Sequence, residues 1–221
     1  RGIMSGLLAK DMELLKINIK TYLAVFLIGF IYLIVQKNGS TFFVSYSVFV
    51  SIGVSVGTIS YDAYHHGMNY LMTLPVTRKQ YVWSKYLLGF CFAAVTGVAA
   101  LLIGILKVQF TGNQEMQDLL ISAGVSMIIA GIILCGTIPL RLKYEAEKSR
   151  IVMVAAVAAL FLLVAVCREV YNIYKKDFVR SFDLLGRLSG WQTACLLIVA
   201  LVICTTVSVK ASERIMERKE F

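Results

Sequence analysis

Residues 86–106 read YLLGFCFAAVTGVAALLIGIL, a run without one Asp, Glu, Lys, Arg or His that is as long as the ~20 residues a helix needs to cross the hydrocarbon of a bilayer. Five further uncharged runs of comparable length lie at 21–36, 40–60, 119–140, 151–167 and 191–209. Transmembrane β-strands would appear as shorter segments of alternating polarity. The pattern therefore predicts an all-α integral membrane protein of six transmembrane helices. Composition agrees: 58% of residues are apolar and 16% charged, against about 25% charged in soluble domains, and the mean hydropathy is +0.76.

Orientation follows from the 22 basic residues, because loops rich in Lys and Arg stay in the cytosol. Placing both termini inside collects Arg1, Lys10, Lys16, Lys20, Arg78, Lys79, Lys85, Arg141, Lys143, Lys148, Arg150, Lys210, Arg214, Arg218 and Lys219 on the cytosolic side. Five of the seven exceptions, Arg168, Lys175, Lys176, Arg180 and Arg187, fall in the last outer connection. The net charge of +9 thus matches anionic head groups flanking the spans and requires no nucleic acid as partner. Cys91, Cys135, Cys167, Cys195 and Cys204 are scattered in or at the ends of spans, without metal-ligand or redox spacing, and read as small buried hydrophobes. No cleavable signal peptide is expected.

The chain reads as a single domain, 1–221. Within 1–20, Leu8, Met12, Leu15 and Ile19, followed by Tyr22, recur at helical spacing apart from Lys10, Glu13, Lys16 and Lys20, which predicts an amphipathic interfacial helix feeding the first span. In the second span Ser47, Ser51 and Ser55 repeat every four residues beside Gly53 and Gly57. Small residues at that spacing allow close helix approach; a dimer seam and an intrachain contact both fit.

Proton- or ion-coupled carriers place ionisable groups inside the membrane, and the uncharged runs hold none. The sequence also has no G-x-x-x-x-G-K-[ST] phosphate loop, so the chain is not expected to hydrolyse ATP, and no catalytic constellation marks a membrane enzyme. Any transport cycle must be driven from outside the spans.

The segment 60–89, SYDAYHHGMNYLMTLPVTRKQYVWSKYLLG, is the long polar connection on the cytosolic side. Tyr61, Tyr64, Met68, Leu71 and Met72 form one helical stripe, and Asp62, His66, Asn69 and Thr73 another. A helix lying flat under the membrane would bury the first stripe and offer the second. Pro75 ends it, completing a helix and turn over 61–76 that joins spans two and three as a lever. Thr77 with Gln80 reads as a capping box for the next helix, and Val76 can staple to Tyr81. Tyr81, Trp83, Lys85 and Tyr86 read as an interfacial anchor. His65 and His66 point about 100° apart on a helix and make a poor shared metal site.

Asp62, Gly67, the run YLMTLP at 70–75, Val76, Thr77, Arg78 and Lys79, closing on 85–89, resemble the cytosolic loop of bacterial ABC transporter type-2 permeases. The run IPLRLKYEAEKSR at 138–150 is similar to that family's segment between spans four and five. Ala63, where family members often carry an acidic residue, and 144–145, where they have a nearby Gly, depart from the pattern. The resemblance covers essentially the whole chain and is similar in size to the permease subunits of phenol-soluble modulin exporters. It implies a multi-pass protein of the bacterial plasma membrane, working as a homodimer or pseudo-dimer with two separately encoded ATPase subunits. ATP and Mg would bind in those partners, with no cofactor in this chain. The helix and turn at 61–76 would be the coupling helix, meeting the ATPase through Asp62, His65, His66, Asn69 and Thr73, with Glu145, Glu147 and Lys148 as a second contact.

At 168–188, Tyr171, Tyr174, Phe178, Phe182 and Leu185 recur near helical spacing, predicting an amphipathic segment on the outer leaflet. Tyr171, Tyr174, Lys175, Lys176, Phe178 and Phe182 would form an outer gate touching an amphipathic substrate. Uncharged spans suit a peptide or other hydrophobic cargo better than ions or sugars. The alternative is a non-transporting immunity or sensor protein that binds a peptide without a motor.

Overall fold

A computed structural model describes residues 2–36, 38–63, 67–73, 76–111, 116–144 and 190–219. The expected fifth span at 151–167, the outer segment 168–188, and His65, His66, Glu145, Glu147 and Lys148 lie outside the described residues. The described residues form helices and no strand: α1 (Gly2–Ile17), α2 (Ile19–Val35), α3 (Gly39–Ala63), α4 (Gly67–Thr73), α5 (Arg78–Thr111), α6 (Met116–Lys143) and α7 (Gly190–Glu217). Among them α3, α5, α6 and α7 are each long and apolar enough to cross a membrane, and the bent pair α1–α2 makes a fifth candidate.

The bend between α1 and α2 is 69°. Asn18 sits at it with φ −97° and ψ 11°, and its side-chain amide turns back to the Leu14 carbonyl at 3.3 Å. That bond satisfies an orphan acceptor at the end of α1 and leaves the start of α2 without a side-chain cap. The buried side of α1 is Leu7, Asp11 and Leu15. Leu15 belongs to the expected apolar stripe, but Met12 and Ile19 from that stripe are exposed. The stripe's register is displaced because α1 docks a carboxylate inward.

Helix α3 is the hub of the bundle, packed on α2, α5 and α6. Of its apolar window 61% is buried, against 17% for α7. Ser47, Ser51 and Ser55 all face inward, so the serine stripe is an intrachain seam. Ser51 and Ser55 donate to the carbonyls of Val48 (2.6 Å) and Ser51 (2.9 Å), which lets a small polar side chain sit in a dry interface. Gly53 and Gly57 turn the other way, with open space where a Cβ would project.

Two apolar clusters divide the bundle. One joins Val48, Ile52, Val56 and Ile59 of α3 to Tyr81, Tyr86, Leu134, Ile138 and Met216, and the other joins Leu33, Phe43, Val44, Ala100, Val108 and Leu119. At the end of the second cluster the α2–α3 turn is tight. A Cβ on Gly39 would lie 2.8 Å from the Tyr32 carbonyl oxygen and 3.0 Å from the Leu33 backbone. Lys107 of α5 reaches across to the carbonyls of Leu33 and Gln36, closing acceptors that α2 leaves open.

Many large apolar side chains point away from the protein, among them Leu27, Ile28, Ile34, Leu102, Ile121, Ile198, Val199 and Ile203. So much exposed apolar surface is costly in water and ordinary in lipid. The cysteines follow the same logic. Cys135 is buried as expected, whereas Cys91 and Cys204 are exposed, because a thiol in a membrane protein can face hydrocarbon as readily as the core.

Candidate functional site

Helix α5 has 34 residues and is about 51 Å long at 1.5 Å per residue, well beyond the ~30 Å of bilayer hydrocarbon. Its uncharged run begins at Tyr86, so its first turns extend past the apolar layer. These turns and the α3–α4–α5 connection form the candidate site, with α1, the end of α6 and the end of α7 gathered around them.

The start of α5 carries the expected capping box. Thr77 N–H donates to Gln80 Oε1 at 3.1 Å and Gln80 N–H to Thr77 Oγ1 at 3.3 Å, so two N-terminal donors are satisfied reciprocally. Val76 packs against the cluster that contains Tyr81. Of the expected anchor residues only Trp83 is exposed; Tyr81, Lys85 and Tyr86 are buried. The difference arises because α5 leans along α1 and α3 at this level, so its aromatic face meets protein where a lone span would meet head groups.

Helix α4 buries Met68 and Leu71 in the core, and leaves Tyr70 and Thr73 exposed. Gly67 permits its start: a Cβ there would come within 2.9 Å of the Asp62 carbonyl oxygen. Met68, Leu71 and Thr73 thus sit as the two-stripe reading places them. Asp62 does not. Helix α3 continues to Ala63 before the break, and Asp62 extends its inward stripe of Ser51, Ser55, Thr58 and Ile59. The carboxylate expected on the open face of the coupling helix is therefore 7% exposed and engaged within the bundle. Tyr61, assigned to the buried stripe, is instead exposed for the same reason of register. Asn69 lies on α4.

Asp62 belongs to a ring of alternating charge. Lys85 Nζ lies 2.7 Å from each carboxylate oxygen of Asp11 and 2.7 Å from Asp62 Oδ2, and donates to Thr58 Oγ1 at 3.2 Å. Lys10 ion-pairs with Asp62 Oδ1 and stands 3.4 Å from Asp11 Oδ1. Tyr81 donates its hydroxyl to Asp62 Oδ2 at 2.9 Å. Each carboxylate touches both ammonium groups, and the ring carries no net charge. Asp11 and Lys85 side chains are each 1% exposed, whereas Lys10 is 33% exposed and forms the outer edge. A buried charge is tolerable only when paired and hydrogen-bonded, and the three donors of the Lys85 ammonium all find oxygen.

The other flank of α5 is fastened to α7. Arg78 Nη1 donates to the carbonyls of Met216 and Glu217, both at 2.7 Å, capping the C-terminus of α7. Trp83 Nε1 donates to Glu213 Oε1 at 3.1 Å. Ser208 donates to the Cys135 carbonyl at 2.5 Å, which leaves Tyr86 to donate to Ser208 (2.5 Å) and accept from Ser212 (3.0 Å). Lys219 closes the end of α6 at the Leu142 carbonyl, 3.2 Å away. Between α5 and α7 runs an apolar cleft of about 540 Å³ lined by Leu87, Phe90, Leu201 and Val209, with Trp83, Lys210 and Glu213 at one end.

The sequence reading missed Asp11, Lys85 and Tyr81 as site residues. Asp11 was legible as an anomaly, an acidic residue at i+4 from Leu7 and i−4 from Leu15, but no pattern in one sequence joins it to Lys85.

No curated protein matches this sequence. The family model for the ABC-2 family transporter proteins matches residues 6–217, a span that takes in every transmembrane candidate, the α4 connection and the charge ring. A multi-pass helical membrane protein with a short helix slung between two spans, matched over nearly its full length, belongs to the ABC-2 transporter family.

Proposed function

We propose that this chain is the permease of an ATP-driven exporter for amphipathic peptides or other hydrophobic cargo, akin to the permeases of phenol-soluble modulin exporters, and that separately encoded ATPases drive it through α4. In this reading two permease copies meet two ATPases, which bind ATP and Mg in the bacterial cytosol. The observation that carries it is the suspension of α4. Its apolar side, Met68 and Leu71, is seated in the core while Tyr70 and Thr73 face out, and the helices on either side of it are joined by the Lys85–Asp62 pair. Force applied to the outer face of α4 passes through Met68 and Leu71 to the core that α3 and α5 share.

Thr73, with His65, His66 and Asn69, supplies the contact with the motor, and Glu145, Glu147 and Lys148 a second one. Asp62 acts from beneath, through the ring. Tyr171, Tyr174, Lys175, Lys176, Phe178 and Phe182 serve the outer gate. Uncharged runs leave cargo recognition to apolar and aromatic surfaces, which favours hydrophobic cargo.

The test is copurification in detergent with the ATPase encoded beside it. Thr73→Arg together with Tyr70→Asp is expected to abolish capture of the ATPase while the permease stays folded. Undiminished capture by the double variant removes α4 as the coupling element. Peptide protection of cells in the absence of any ATPase would favour an immunity protein instead.

A further inference from the structure

We infer that α1 is a moving part of the coupling machinery, fixed to it by the Lys10–Asp11–Asp62–Lys85 ring, with Asp11 and Lys85 as positioning residues. The inference rests on the assignment of α4 as the element the motor pushes. The ring's members come from three helices, α1, α3 and α5. Asp62 closes α3 just before the break to α4, Lys85 lies two turns into α5 just after it, and Asp11 is the centre of α1. Lys85 alone bonds directly to both Asp11 and Asp62 while fully enclosed. A displacement of α4 that shifts the end of α3 against the start of α5 therefore changes the Lys85 position, and Asp11 must follow or lose its buried partner.

Leu7 and Leu15, one turn to either side of Asp11, are the buried apolar side chains of α1 among the described residues, with Leu8 and Leu14 half-buried. Apolar contacts of that kind can slide, because they carry no directional requirement. A carboxylate held by two Nζ–O contacts of 2.7 Å cannot slide without leaving a buried charge unpaired. The ring thus specifies the register of α1 on the bundle. Away from that side of α1, Met12 and Ile17 are exposed, so the part that moves presents an apolar edge. All three donors of Lys85 are used, so the enclosed part of the ring keeps no donor for a ligand and is suited to a mechanical role.

Spin labels at three exposed positions in a cysteine-free background test the inference: Met12 on α1, Tyr70 on α4 and Ile132 on α6. Pairwise distances are measured by double electron–electron resonance in the permease–ATPase complex, nucleotide-free and trapped with ATP. The expected result is that labels on α1 and α4 both move relative to α6 while keeping their mutual distance. In Asp11→Asn, α4 still moves and α1 no longer follows, and export per assembled complex falls at least about fivefold, the scale of a coupling free energy between sites. If α1 stays fixed to α6 in the wild type while α4 moves, the inference is wrong and the motor reading stands. If Asp11→Asn leaves the paired motion intact, the inference is also wrong. If no ATPase binds and no label moves, the motor reading fails and takes this inference with it. Should Asp11→Asn fail to fold, Lys10→Gln, which opens only the half-exposed edge of the ring, is read by the same outcomes.

Discussion

Lys85 Nζ lies 2.7 Å from both carboxylate oxygens of Asp11, across 74 positions of sequence. Neither side chain reaches solvent, so the pair is held by geometry as well as charge. Around it the first turns of α5 become the place where α1, α3 and α7 are fastened together.

Lys85→Met removes the shared cation and leaves Asp11 and Asp62 buried with Lys10 alone. Breaking one partner of a buried charge group costs about 3–5 kcal/mol. The expected outcome is a large loss of thermal stability in detergent, or failure to accumulate folded protein, by fluorescence-detected size exclusion. Asp11→Asn combined with Lys85→Met restores charge balance and is expected to recover part of that loss.

Tyr81→Phe deletes only the hydroxyl that donates to Asp62, and both lysines remain. A hydrogen bond to a charged group is worth about 1.5–3 kcal/mol. The variant is expected to fold and to shift the unfolding midpoint less than Lys85→Met does. A larger shift than Lys85→Met would mean that the tyrosine, and not the lysine, organises the ring.

Thr77→Ala removes one arm of the capping box at the start of α5. The expected cost is about 1 kcal/mol, concentrated at one end of the helix. Hydrogen exchange should quicken at the amides of 78–81 and stay unchanged beyond Tyr86.

Gly39 and Gly53 separate close approach from open space. A Cβ at Gly39 would press on the backbone of Tyr32 and Leu33, whereas one at Gly53 meets nothing within 4 Å. Gly39→Ala is expected to destabilise by about 1–3 kcal/mol, as overpacking does. Gly53→Ala, gaining helix propensity, is expected to leave monomer stability unchanged or slightly raised. Thermal shifts of the two variants in parallel check the contrast.

Arg78→Gln withdraws a guanidinium that caps the last carbonyls of α7. The end of α7 should fray, with faster exchange at 213–217 and little change in α1 or α3. Spread of the effect to α1 would show that the two flanks of α5 are not independent.

Hydrophobic runs, a proline, a capping box and the distribution of lysine and arginine are local in sequence. They were enough to determine an α-helical membrane protein, the runs that form α2, α3, α5, α6 and α7, the start of α5 at Thr77 and the small-residue face of α3. What lay beyond them was register and partnership. The break after α3 decides whether Asp62 is counted with α4 or with the inward stripe of Thr58 and Ile59, and a one-dimensional pattern cannot say where one helix's phase stops and the next begins. Lys85 reads as an interfacial anchor until α1 is seen to lay Asp11 against it, because the free energy of a buried ion pair depends on the dielectric and the partner that only packed helices create. Among the described residues, the sequence by itself determined which segments form helices long and apolar enough to cross a membrane. The tertiary structure decided which of their charges were taken inside and bound to one another.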